Sequence, residues 1–284
     1  MKKLKTLVTV SIALTACLTL QSCNQTSADT HQSGNPQQGK LVLTGSSTIA
    51  PLAAEIARKY EENHPGVRID VQTGGSSRGI ADARSRTADI GMVSRSLTSD
   101  ETDLTVHTIA QDGVSLIVNA ENPVKSLTHQ QVIDIYSDKI NNWQEVGGND
   151  APITVVNKSA AHSTLGLFID FFGLKAEQIV PDVIIGNNEQ GIKTVAGNPN
   201  AIGYVSIGTA EYHQDVETAI ALLPVDGVVA SSDAVSKGTF SLSRPLNFVT
   251  ADKPTDLTQD FIQFAQSPQI HDIVEAQYFV PVSP

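Results

Sequence analysis

One unit constrains this chain more than any other feature, and it occurs twice between Leu41 and Arg95. It consists of a short strand, a turn of glycine and serine, and a helix. Leu41-Val42-Leu43 leads through Gly45-Ser46-Ser47-Thr48 into an expected helix over Pro51 to Asn63, with Leu52, Ile56, Ala57 and Tyr60 on one face. Pro51 falls in the first helical turn, where a missing N–H costs nothing. Val67 to Gln72 alternates as a half-buried strand does. Gly74-Gly75-Ser76-Ser77 follows, then a helix over about Arg78 to Arg86 and a third strand over Asp89 to Val93. Parallel neighbours cannot be joined by a hairpin, so this rhythm predicts an α/β chain with a parallel sheet and crossover helices.

The pattern continues less regularly. Gly113 to Asn119 reads as an apolar strand, ended by Pro123. Thr128 opens a helix to Tyr136 as its N-cap, with Gln131 placed to complete a capping box. Asn141 to Gly148 is a loop carrying Trp143, Ile153 to Val156 a strand, and Ser159 to Thr164 another polar turn before a helix over Leu165 to Phe172. A helix over Gly191 to Ala196, a strand over Ile202 to Ser206, a long strand over Phe240 to Val249 and a terminal helix over Leu257 to Ala265 complete the chain. There is no internal repeat.

The N-terminus sets the expected compartment. Lys2, Lys3 and Lys5 precede an apolar run, Thr6 to Ala16, of signal-segment length and too short to span a bilayer. Leu20-Gln21-Ser22-Cys23 has the form of a lipidation and cleavage site. Leu14-Thr15-Ala16-Cys17 has it too, but Cys23 is preferred because polar sequence starts directly after it. Residues 1–22 are therefore expected to be a lipoprotein signal peptide, Cys23 the lipidated residue, and 23–40 a flexible tether too polar to bury a core. A single lipid anchor holds a soluble body at a membrane surface, which places the chain in the periplasm or at the cell surface. The two cysteines are Cys17 in the signal segment and the lipidated Cys23, so the folded body is expected to have neither a disulfide nor thiol chemistry. Without residues 1–22 the chain keeps 16 Lys and Arg against 30 Asp and Glu, a net charge of −14. That argues against nucleic acid as a partner. It does not exclude an anionic ligand, because surface charge is screened beyond roughly 8–10 Å and a deep site of amide dipoles acts locally.

Three turns carry the chemistry: Gly45-Ser46-Ser47-Thr48, Gly74-Gly75-Ser76-Ser77-Arg78-Gly79 and Lys158-Ser159-Ala160-Ala161-His162-Ser163-Thr164. Each joins hydroxyl residues to an expected helix start, where unpartnered N–H groups and the macrodipole favour an anion. One such turn is ordinarily a plain N-cap. Three in one parallel α/β chain, where strand C-termini gather at a cleft, point to a tetrahedral oxyanion. Arg78, Arg95 and Lys158 stand where a cation adds charge-assisted bonds. His162 is open between donor, pH-tuned group and bystander.

These stretches, together with ADIGMVSR at 88–95, DGVSLIVNAENPV at 112–124, INNWQEVGGNDAPITVVNK at 140–158, NPNAIGYVSIG at 198–208 and FSLSRPLNFVT at 240–250, resemble the phosphate-binding component of phosphate ABC transporters over nearly the whole mature chain. The resemblance implies a periplasmic-binding-protein-like (type II) fold. Two α/β lobes, 41–115 plus 245–284 and 116–244, would be joined by a two-strand hinge with the ligand cleft between them. It implies capture of inorganic phosphate for the permease subunits of an importer, by a monomer without catalysis, cofactor or metal. The implied ligand contacts are Ser47, Thr48, the Ile49 amide, Ser76 and Ser77, joined by Arg78, Ser94, Arg95, Lys158, His162, Ser163 and Thr164. Ser94 and Arg95 stand where some members have an Asp that accepts the ligand's proton; arginine cannot accept one. Either a different protonation state of the ligand is bound or another acceptor serves, and Asp112 is the expected one. At the third turn many members read Arg and then Gly-Ser-Gly-Thr, whereas this chain has Lys158 and then Ala161-His162-Ser163-Thr164. Sulfate, molybdate or tungstate therefore stay open as ligands, as does a sensing or adhesive role on the same fold. A phosphatase would need a base beside its nucleophile or paired metals, and the histidines His64, His107, His129 and His162 are scattered.

Overall fold

The computed structural model describes residues 38–282. The expected signal peptide, Cys23 and the tether up to residue 37 lie outside the described residues. The last two residues of that expected tether, Gly39 and Lys40, already belong to a strand.

The double unit forms as β1 (Gly39–Gly45), α1 (Ala50–Asn63), β2 (Val67–Thr73), α2 (Ser76–Ser85) and β3 (Ile90–Val93). β1 lies between β2 and β3 and is parallel to both. Leu52, Ile56, Ala57 and Tyr60 of α1 are buried, and they pack with Leu41 and Leu43 of β1 in one core cluster. Burial of that face, more than helix propensity, holds a helix of this length.

Next comes β4 (Thr105–Asn119), fifteen residues where the sequence suggested only the last seven. Its polar first half hides the strand from a hydrophobic scan. After it come α3 (His129–Tyr136), β5 (Thr154–Lys158), α4 (Ser163–Phe172), β6 (Val183–Ile185), α5 (Asn188–Ala196), β7 (Ala201–Ser206), α6 (Ile207–Asp215) and β8 (Ile220–Leu223). The chain ends through α7 (Ser232–Ser236), β9 (Ser243–Thr250), α8 (Asp256–Ala265), α9 (His271–Ala276) and β10 (Val280–Pro281), so α8 is not terminal. Thr128 caps α3 as expected: its hydroxyl accepts from the Gln131 amide at 3.2 Å, and the Gln131 side chain accepts from the Thr128 amide at 2.8 Å.

The strand order is β2-β1-β3-β9-β4-β7-β5-β6, with β8 and β10 also paired to β4. The sheet is mixed, because β9 and β4 run antiparallel to their neighbours. β4 spans both ends of it. Residues 105–113 pair with β9, and residues 114–118 pair with β7. A second core cluster, with Tyr136, Trp143, Phe168 and Tyr204, fills the β7–β5 end. No helix among the described residues is long and apolar enough to cross a membrane.

Candidate functional site

The three turns converge. Ser46 follows β1, Ser76 is the first residue of α2, Ser94 follows β3, and Ser163 is the first residue of α4. Their hydroxyls meet: Ser46 Oγ to Ser94 Oγ at 2.9 Å, Ser94 Oγ to Ser163 Oγ at 2.8 Å, and Ser76 Oγ to Ser163 Oγ at 3.1 Å. All four are buried. A hydroxyl both donates and accepts, so such a cluster can redirect its donors onto an oxyanion without net charge. The N-termini of α1, α2 and α4 open onto the same group of residues, adding backbone amides and positive dipole ends. Ser46 Oγ also accepts from the amides of Thr48, at 3.2 Å, and Ile49, at 3.4 Å.

Gly75 makes the close approach between turns possible. It has φ +89°, and a Cβ there would lie 2.3 Å from the Ala161 carbonyl oxygen. The neighbouring Ser77 amide donates to that same oxygen at 3.3 Å.

Two cations stand beside the hydroxyls. Arg244 on β9 is the register partner of Asp112 on β4, and both side chains are fully buried. The guanidinium donates from Nε and Nη2 to Asp112 Oδ2 at 3.0 and 2.8 Å. It also donates from Nη1 to Thr164 Oγ1 at 3.0 Å and from Nη2 to Thr48 Oγ1 at 3.1 Å. Arg244 thus links the β1–α1 turn to the start of α4. Lys158, at the end of β5, is 2 % exposed and donates to Asn188 Oδ1 at 2.9 Å. Asn188 Nδ2 in turn donates to Thr48 Oγ1 at 3.1 Å. Burial, and then the nearby Arg244 charge, pull the Lys158 ammonium down to about 7. Burial and the Lys158 charge also hold His162 below the usual imidazole value.

Of the residues singled out in the sequence, Thr48, Ser76, Ser94, Asp112, Lys158, Ser163 and Thr164 are buried and gathered here, and the Ile49 amide faces the Ser46 hydroxyl. Ser47 is half-buried in the turn, and Ser77 is exposed. Three expectations change. Arg78 is turned away on the outside of α2, held by Asp82, Gln72 and the Thr73 carbonyl. Arg95 is committed to Glu101, through bonds of 2.6 and 2.7 Å. Each Asp112 oxygen already accepts, Oδ2 from Arg244 and Oδ1 from the Gly208 amide at 3.3 Å, so the carboxylate is turned to holding Arg244. His162 sits at the rim, with Nδ1 3.0 Å from Ser159 Oγ. A cavity of about 490 Å³, lined by Arg95, His162, Ser163 and Arg244, leads to the cluster. An apolar cavity of about 130 Å³ under Phe168, Tyr204 and Phe240 has no such convergence of donors.

Sequence reasoning missed Ser46, Asn188 and Arg244. Ser46 lies in the same turn as Thr48. Arg244 lies within FSLSRPLNFVT, where a lone arginine in an otherwise uncharged returning strand is the available signal.

Residues 30–269 match the family model of the PBP superfamily domain. The phosphate-binding protein PstS of Bacillus subtilis is 26 % identical over 273 residues, covering 94 % of this chain and 89 % of the relative. A candidate phosphate ABC transporter substrate-binding protein from Clostridium perfringens, solved with bound phosphate, superposes with a TM-score of 0.80 at 35 % identity over 86 % of this chain and 100 % of that one. An ABC-type phosphate transport receptor from Vibrio cholerae gives 0.68 at 32 % identity, over 85 % and 100 %.

Proposed function

This chain belongs to the PBP superfamily, and from that premise we propose that it is an extracytoplasmic solute-binding protein that captures inorganic phosphate and delivers it to an ABC importer. The observation that carries the reading is the convergence of the Ser76, Ser94 and Ser163 hydroxyls beside Thr48 and Thr164, which Arg244 ties together. A buried arginine, buried hydroxyls and helix N-termini are what a small, multiply charged oxyanion needs once it leaves water. The ligand contacts in this reading are Thr48, the Ile49 amide, Ser76, Ser94, Lys158, Ser163, Thr164 and Arg244, with Ser47 and Ser77 at the edge. Asp112 acts by holding Arg244.

Two lobes, 41–115 with 245–284 and 116–244, would close on the ligand, because β4 and β9 are the strands that pass between the proposed lobes. Cys23 would carry the lipid that keeps a monomer beside its permease, outside the cytoplasm. No catalytic step is assigned: the gathered hydroxyls bond to one another and to Arg244, and the His162–Ser159 contact lies apart from them at the rim. A competition titration at neutral pH tests the ligand. Phosphate is expected to displace sulfate, and a chain that prefers sulfate would retire the phosphate reading.

A further inference from the structure

The cleft contains two cations of unlike character. Arg244 is paired with the Asp112 carboxylate, which neutralises it in place. Lys158 has no such partner. Its ammonium carries three donors, and the bond it makes among the described residues is to the neutral Asn188 Oδ1. Each packed element offers it something other than a free carboxylate. β9 presents Arg244, which repels it, and β4 presents Asp112, already committed to Arg244. The start of α4 presents His162, whose own charge Lys158 opposes. β7 presents the Tyr204 hydroxyl, which accepts from the Lys158 amide at 3.4 Å.

The same cleft is short of carboxylate, and His162 stands at its rim with Nδ1 on the Ser159 hydroxyl. Ser94 and Arg95 offer no carboxylate, and Asp112 is turned to Arg244, whose guanidinium donates two bonds to one of its oxygens. Inorganic phosphate near neutral pH is a mixture of monobasic and dibasic ions, and the monobasic ion has an acidic proton to give. Resting on the phosphate reading above, we propose that Lys158 is the proton acceptor of the cleft: it meets monobasic phosphate as a free amine, takes its proton, and holds the resulting dianion as an ammonium. The ligand's O–H bond breaks and its electron pair stays on the phosphate oxygen, while the Nζ lone pair forms the new N–H bond. No co-reactant is needed. The buried amine titrates near 7, so both forms are present at neutral pH. A dianion beside it favours the charged form and moves that titration upward. The sign follows: affinity for an anion that brings no proton falls as pH rises through this range. The lysine is what makes the site proton-linked, because a guanidinium in its place could not titrate here.

Calorimetry of the full mature chain, titrated with inorganic phosphate at pH 7 in buffers of different ionisation enthalpy, counts the protons exchanged. The wild-type chain is expected to exchange few with buffer, because the proton moves within the complex. Lys158→Arg is expected to release roughly half a proton more per phosphate bound. Equal proton counts in two chains that both bind phosphate overturn the proposal and leave the phosphate reading intact. Wild-type chain that binds no phosphate sinks that reading and the proposal with it. Should Lys158→Arg bind nothing, NMR of the Lys158 Cε methylene in wild-type protein decides. A ligand-free midpoint near 7 that climbs on adding phosphate supports the proposal. A side chain that stays charged from below that midpoint to well above it, without ligand, overturns it.

Discussion

At the scale of single residues, the Asp112–Arg244 pair is the most exposed to test because it is the most buried. Both side chains are at 0 % exposure, and one carboxylate oxygen takes two N–H groups. Burying two charges costs several kcal/mol, which their mutual attraction offsets only while both are present. Asp112→Asn removes the negative partner and leaves the guanidinium unpaired. Urea denaturation in phosphate-free buffer should show a loss of about 3–5 kcal/mol. Phosphate should then restore a larger share of stability in the variant than it adds to wild type, since the anion supplies the missing charge. A loss within about 0.5 kcal/mol would mean that the pair contributes nothing beyond a surface contact. This pair also marks the limit of reading residues from sequence. Asp112 stood out because it begins an apolar run; Arg244 did not, because its partner is 132 positions away and only the β4–β9 register brings them together. Arg78 illustrates the converse error. Its place directly after a Gly-Ser turn suggested a ligand contact, but the fourth helical position round is Asp82, and an i,i+4 ion pair on the outer face claims it.

At the scale of elements, the sequence was most readable where one strand and one helix solve their burial locally. β1, α1, β2, α2 and β3 fall within a few residues of their expected spans, since each has its own period and its own turn. It was least readable where pairing is distant. The polar half of β4, short β6 and β8, and α6, whose apolar residues do not form a stripe, are held by neighbours rather than by pattern. The α2–sheet contact explains one residue of the second Gly-Ser turn that anion chemistry does not. A Cβ on Gly79 would sit 2.7 Å from the Met92 carbonyl oxygen and 3.0 Å from that of Thr44, so α2 lies backbone against backbone on β1 and β3. Gly79→Ala must push the helix off the sheet, at a cost of about 1–3 kcal/mol, and Ser76 moves with it. Thermal denaturation and a phosphate titration should both register the change. Gly166 of α4 is the control, because a Cβ there meets nothing within 4 Å. Gly166→Ala is expected to be neutral or to stabilise by about 0.5–1 kcal/mol. Equal effects at the two positions would refute the close-contact account.

At the scale of the whole molecule, β4 and β9 are the strands that join the two proposed lobes. β4 leaves its pairing with β9 at Gly113 and takes up β7 at Val114, two residues before the proposed boundary between residues 115 and 116. Asp112 and Arg244 lie at that same crossing, and Arg244 reaches hydroxyls contributed by both proposed lobes. A ligand seated against Arg244 would therefore strengthen contacts on both sides of the hinge together, which is how binding energy can be converted into closure. Two measurements separate binding from closure. A ligand that binds only the folded chain stabilises it by about 2.7 kcal/mol at a hundredfold excess over Kd. For a chain of this size that corresponds to a rise in Tm of roughly 5–10 °C. Small-angle scattering of the same samples should show a smaller radius of gyration with phosphate than without. A higher Tm at constant radius would keep the anion site and remove the hinge, because ligand would then be stabilising a cleft that is already closed. In Arg244→Lys, which keeps the charge but loses the fork that spans Thr48 and Thr164, the change in radius should diminish more than the affinity does.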